Sequence, residues 1–247
     1  MAGHSKWAQI KRKKAVTDAR RGKLWSRILK EITVAARLGG GDPAGNPRLR
    51  AGIAEAKAAN VPNDNIDKAI RRGTGELEGV ALEETTYEGY GPGGVAVLIE
   101  AVTDNRNRTV AEIRHIFSRH GGNLGENGCV GWLFRGRGYF AIPRDLLSEE
   151  EFLELAVELE AEDFSTDDDE VYELTTAPEE YERIGELLEE REIPPESREL
   201  AKVPSSYVEL EGEAAAQMMR LIEALEDQDD VQNVWANFDL DEAAVVA

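Results

Sequence analysis

A single cysteine, Cys129, in a chain of 247 residues leaves no partner for an intramolecular disulfide and no thiolate cluster for zinc. Its plain reading is a small, buried apolar side chain. No run of about 18 apolar residues occurs, so no transmembrane helix and no membrane partner are expected. The basic N-terminus lacks the apolar stretch of a secretory signal. No nucleophile-elbow sequence is present. The glycine-rich run Gly89-Tyr90-Gly91-Pro92-Gly93-Gly94 lies between two expected strands, with no Lys-Ser/Thr after it, so the P-loop and dinucleotide contexts both fail. It reads as a hairpin connection. The acidic run Asp167-Asp168-Asp169-Glu170 lacks the EF-hand glycine and terminal glutamate and reads as a solvated loop. His115 and His120 are five apart and do not share a helix face as i, i+4 metal ligands would.

Positive charge is also scarce, with 29 Lys+Arg against 49 Asp+Glu and a net charge of −20. That total argues against a polyanionic partner until it is divided along the chain. Residues 1–75 hold 17 basic and 6 acidic residues, a net of +11, so residues 76–247 carry −31. Such asymmetry marks the basic end as a nucleic-acid or membrane contact. With 41% apolar and 32% charged residues, the chain can bury cores and remain soluble.

The basic end reads as helical. Leu24, Trp25, Ile28, Leu29, Ile32, Ala35 and Ala36 define one apolar helix face, ended by Gly39-Gly40-Gly41-Asp42-Pro43. Asn46-Pro47 caps and opens a second helix through about Ala59. A third, capped by Asn63, ends at Gly73 as a C-terminal glycine. Beyond the Gly73–Gly79 linker the period changes to strands at Thr85–Tyr90, Val95–Thr103 and Val130–Phe134, with a helix over Thr109–His120. Tyr207–Leu210, Ala214–Leu225 and Val231–Phe238 read as strand, helix and strand. Between them, 137–204 repeats the rhythm: strands Tyr139–Ile142, Val171–Thr175 and Leu200–Val203, helices Glu149–Glu160 and Glu179–Glu190. The expected fold is α+β: a three-helix domain (1–75) followed by two ferredoxin-like α+β domains, one discontinuous (80–136 plus 205–240) and the other, acidic, inserted in it at 137–204.

The chemistry sits in the basic end. Lys6, Trp7, Lys11, Arg12, Lys13, Lys14, Arg20, Arg21, Lys23 and Lys30 bring cations and an indole together, fit to neutralise phosphates and to stack on an unpaired base. Trp25 lies on the apolar face and is assigned to the core. Arg48, Arg50, Lys57, Lys68, Arg71 and Arg72 extend the charge over the next two helices, whose short connection allows a helix-turn-helix. The acids of this end, Asp18, Glu31, Asp42, Glu55, Asp64 and Asp67, are scattered rather than clustered for metal-dependent cleavage. Asp104-Asn105-Arg106-Asn107-Arg108-Thr109 is assigned to helix capping. No constellation supports catalysis, and no cofactor is expected.

Several of these segments resemble the YebC family: Gly3-His4-Ser5-Lys6-Trp7, Gly39-Gly40-Gly41-Asp42-Pro43, Asn46-Pro47-Arg48-Leu49-Arg50, Tyr87 to Gly94, Asp104 to Thr109 and Gly121-Gly122-Asn123-Leu124-Gly125. The likeness runs over essentially the whole chain. It implies a helical N-terminal domain and two α+β domains, one inside the other, without a cofactor. Members are described as transcriptional regulators that bind promoter DNA, and some as translation factors acting on ribosomes stalled at proline runs. The opening motif directly after Met1-Ala2 is similar to the bacterial form, which implies a cytoplasmic protein. The expected partners are DNA and/or ribosomal RNA. The acidic inserted domain is read as a surface for a ribosome or protein partner, or as an orienting counterweight.

Overall fold

The computed structural model describes residues 21–240. Three helices come first: α1 (Arg21–Gly39), α2 (Pro47–Ala58) and α3 (Asn63–Gly73). The apolar stripe of α1 buries Ile28, Ile32, Ala35 and Ala36 against Leu49, Ala56, Val61, Ile66 and Ala69 of the other two. Trp25 is half-buried at the edge of this core and donates its indole N–H to the Ala59 carbonyl at 2.9 Å. Leu24, counted with the stripe, is exposed. Asn46 caps α2 by accepting from the Leu49 N–H at 3.0 Å. Its amide group also donates to the carbonyls of Ala35 and Gly40, so one side chain both starts α2 and ties the loop to α1.

Two local expectations need correction. Asn63 does not cap α3; Pro62 holds the cap position, and no side-chain bond is made there. Gly73 is not a left-handed terminator either. A Cβ at Gly73 would run into the Thr33 carbonyl oxygen and lie 2.7 Å from the Ala36 Cβ, so this glycine lets α3 pack on α1. The left-handed turn falls at Gly75, with φ of 82°.

The remainder runs β1 (Glu83–Tyr90), β2 (Ala96–Thr103), α4 (Arg106–Arg119), β3 (Asn123–Leu124), β4 (Phe134–Pro143), α5 (Glu149–Glu158), β5 (Asp163–Ser165), β6 (Val171–Thr176), α6 (Tyr181–Glu190), β7 (Ser197–Pro204), β8 (Val208–Leu210), α7 (Gly212–Glu226), β9 (Val231–Ala236) and β10 (Phe238–Leu240). The fold is α+β. One antiparallel sheet has the order β3-β1-β2-β9. Strand alternation divides β2 between two cores. Val97, Ile99 and Ala101 pack with Ile113 and Phe117 of α4 and Leu221 and Leu225 of α7. Ala96 and Leu98 meet Trp235, Phe134 and Ala201, which join this sheet to the next.

The second sheet, β5-β6-β4-β7, is also antiparallel. Its core packs Phe140, Ile142 and Leu174 with Phe152 and Leu155 of α5 and Ile184 and Leu188 of α6. The chain enters this unit at Phe134 and leaves it at Pro204, which are paired across β4 and β7. Asp168 is not a solvated loop residue: it is buried, and it accepts from the N–H groups of Glu170 and Val171 at 2.8 and 3.1 Å.

Val130–Phe134 is not a strand. Residues Gly131–Leu133 form a 3-10 turn, and Phe134 opens β4. The reason is Glu88 on β1. Its carboxylate accepts from the N–H groups of Gly128, Val130 and Gly131, all at 2.7 Å, which withdraws those donors from any ladder. The third strand of the sheet is instead the two-residue β3, paired with Gly89 and Tyr90. The expected strand Tyr207–Leu210 shortens to β8 and pairs in parallel with β10, outside that sheet. Val231–Phe238 is broken at Asn237. That buried side chain accepts from the Ala96 N–H at 2.7 Å and donates to the Ser206 carbonyl at 3.1 Å.

Candidate nucleic-acid interface

Of the residues singled out in the sequence, Lys6, Trp7, Lys11, Arg12, Lys13, Lys14 and Arg20 lie outside the described residues. Arg21 opens α1, and its side chain also lies outside the description. The other four are placed, and three of them engage carboxylates. Lys23 bridges to Asp227 at 3.0 Å and donates to the carbonyl of the same residue at 2.7 Å. Lys30 bridges to Asp230 at 2.9 Å and donates to the carbonyls of Asp229 and Val102. Arg48 lies between Glu31 and Glu84, at 2.6 Å from each. Arg50 donates to the Pro43 carbonyl at 2.8 Å. Arg27, which sequence reasoning passed over, donates to the Gln232 carbonyl. Lys23, Arg27, Lys30 and Arg48 fasten α1 and α2 to β1, β2 and the α7–β9 corner.

Asp230 organises the join. It is 4% exposed, and besides Lys30 it accepts from Arg108 at 2.8 Å, Thr109 at 2.8 Å and Thr103 at 3.1 Å. Burial pushes its carboxyl up, but the hydrogen bonds from Arg108, Lys30 and Thr109 outweigh burial and hold it far below the ordinary carboxylate range. The Asp104–Thr109 motif is structural here. Asn105 caps α4 by accepting from the Arg108 N–H at 3.1 Å, and Arg108 also reaches Asp104 at 2.8 Å. Hydrogen bonding to Glu31, then to Glu84, raises the Arg48 guanidinium against its own burial. Nothing local in the sequence pairs Lys30 with Asp230, 200 positions away.

Arg37, Lys57, Lys68 and Arg72 are exposed and have no carboxylate partner among the described residues. Asp64 and Asp67 are exposed in the first half of α3, where a recognition helix meets base edges, so insertion there would set carboxylates against phosphates. A cleft of about 600 Å³ lies between the helices and the first sheet. Its walls carry Glu31, Glu84, Glu88 and Glu100 against only Arg48 and Arg106, which makes it hostile to phosphate. Among the described residues no group of three or more His, Cys, Asp or Glu side chains could hold a metal ion. No helix among them is long and apolar enough to cross a membrane.

A helical module fastened by ion pairs to the first of two α+β units, with its unpaired cations facing outward, defines a charged, multi-part α+β protein. Residues 5–76 match the TACO1/YebC protein N-terminal domain, and residues 82–238 match the TACO1/YebC second and third domain. The chain belongs to the TACO1/YebC family. It is 55% identical to a "probable transcriptional regulatory protein" of Sulfurihydrogenibium sp., over 98% of this chain and 97% of that one. It is 52% identical to a protein of the same description from Chlorobaculum parvum, over 100% and 98%. The crystal structure of a conserved hypothetical protein from Aquifex aeolicus superposes with a TM-score of 0.87 at 52% identity, covering 96% of this chain and 98% of that one. The family is thus named for a regulatory role and not for an enzymatic one.

Proposed function

We propose that this chain is a cytoplasmic, DNA-binding transcriptional regulator that meets nucleic acid through its basic N-terminal domain, without catalysis and without a cofactor. The observation that carries this reading is the separation of charge, +11 over residues 1–75 against −31 over the rest. Because Lys23, Lys30 and Arg48 already engage carboxylates, phosphate contact falls to Lys6, Lys11, Arg12, Lys13, Lys14, Arg20 and Arg21, with Trp7 beside them. Arg37, Lys57, Lys68 and Arg72 add exposed charge. The acidic body repels the polyanion and so favours one docking orientation.

A second reading makes the chain a ribosome- or RNA-associated translation factor that relieves stalls at proline-rich sequences, using the same surface. The exposed Asp64 and Asp67 favour it, since they count against a major-groove helix while leaving phosphate contacts intact. Under this reading the inserted acidic unit faces a ribosomal or protein partner. Crosslinking in cells separates the two. Recovery of promoter DNA supports the regulator, and recovery of ribosomal RNA, with co-sedimentation abolished by RNase, supports the translation factor.

A further inference from the structure

We propose that Trp132 is a stacking platform for an unpaired base, forming a single-strand contact separate from the basic helical domain. Trp132 is 73% exposed, whereas Trp235 is 8% exposed and Trp25 packs at the edge of the helical core. An indole left facing water, with its polar edge already satisfied, is the kind of amphipathic ring that serves at interfaces. The ring is held in place: its Nε1–H donates to the Cys129 carbonyl at 3.1 Å, and the Tyr90 hydroxyl donates to the same oxygen at 3.1 Å. The indole nitrogen and the phenol oxygen therefore lie within two hydrogen-bond lengths of each other. The loop beneath is fixed by the three N–H groups that Glu88 holds at Gly128, Val130 and Gly131.

Both edge donors are thus occupied while the indole remains exposed. That arrangement suits base stacking, which uses the π-face and needs no particular edge. It suits a proline-rich peptide less well, because that mode docks an extended backbone in an aromatic-lined groove, where free donors would meet its carbonyls. One exposed cation without a carboxylate partner among the described residues follows closely in the chain. Arg135 is three residues beyond Trp132. Its guanidinium can take a phosphate flanking a stacked base.

The test is fluorescence anisotropy with the full chain and labelled single-stranded RNA, single-stranded DNA, the matched duplex and a proline-rich peptide. Trp132→Ala weakens single-strand binding about tenfold, leaves duplex affinity unchanged, and Trp132→Phe retains most of the affinity. Arg135→Ala weakens the same single strands and lowers their log–log salt slope by about one. A loss on RNA alone or on both polymers supports the platform and identifies the sugar it accepts. Unchanged single-strand affinity in Trp132→Ala, or a loss confined to the peptide, overturns it. The basic-domain reading fails separately, through unchanged duplex binding when Lys11, Arg12, Lys13 and Lys14 are replaced by alanine.

Discussion

A carboxylate taken out of water persists only where donors surround it, and Glu88 and Asp230 are both built that way. Burial pushes the Glu88 carboxyl up, but the N–H groups of Val130, Gly128 and Gly131 outweigh it and hold the group below its ordinary value. Glu88→Gln keeps the shape and removes the charge, so it is expected to destabilise the fold by about 1–3 kcal/mol at neutral pH, read by urea denaturation. A carboxyl with a depressed folded-state pKa contributes stability that is fully present above the unfolded value and lost as pH falls through the folded one. The gap between wild type and Glu88→Gln therefore narrows on acidification below about pH 4. A gap that stays constant or widens in acid contradicts this assignment. Cys129 belongs to the same loop. It is half-buried rather than buried, and burial first, then Glu88, pushes its thiol up.

At the level of elements, the placement of α1 rests on Lys30 and Asp230. Lys30→Ala leaves a buried carboxylate short of one partner and is expected to cost about 1–3 kcal/mol. Combining it with Asp230→Asn should cost less than the two single losses added together, the non-additivity of residues sharing one network. Full additivity in chemical denaturation would mean the pair is not coupled. Gly73→Ala tests the α3–α1 contact, where the added methyl has no room; a loss of about 1–3 kcal/mol in the same assay is expected, and an unchanged midpoint refutes the close approach. The three helices were legible in the sequence from their apolar period and breakers, down to the cap at Asn46 and Pro47, although the cap and terminator expected for the third proved wrong. The short strands were not. Two residues at β3 and three at β5 carry no period, and Val130–Phe134 looked like a strand until Glu88, some 40 positions earlier, claimed its donors. Parallel pairing of β8 with β10 likewise depends on residues far apart in the chain.

Across the whole molecule, the proposed function rests on how charge is divided along the chain. The sum over residues 1–75 was readable by counting, but counting does not tell a cation committed to a carboxylate from one free to meet phosphate. Lys23, Lys30 and Arg48 look like Lys11 or Arg12 in sequence, yet they hold the helical module against the α+β body. The capping role of Asn105 was readable because it acts within one helical turn. Its neighbour Arg108 acts across the fold on Asp230, which no local pattern announces.

The most direct test of the basic-end claim is the salt dependence of DNA affinity for the full chain and for the variant with Lys11, Arg12, Lys13 and Lys14 all changed to alanine. The wild-type log–log slope should be steep, near −0.9 per phosphate neutralised, and the variant should bind more weakly with a slope shallower by up to about 3.6. Equal affinity and equal slope in the two proteins would contradict it.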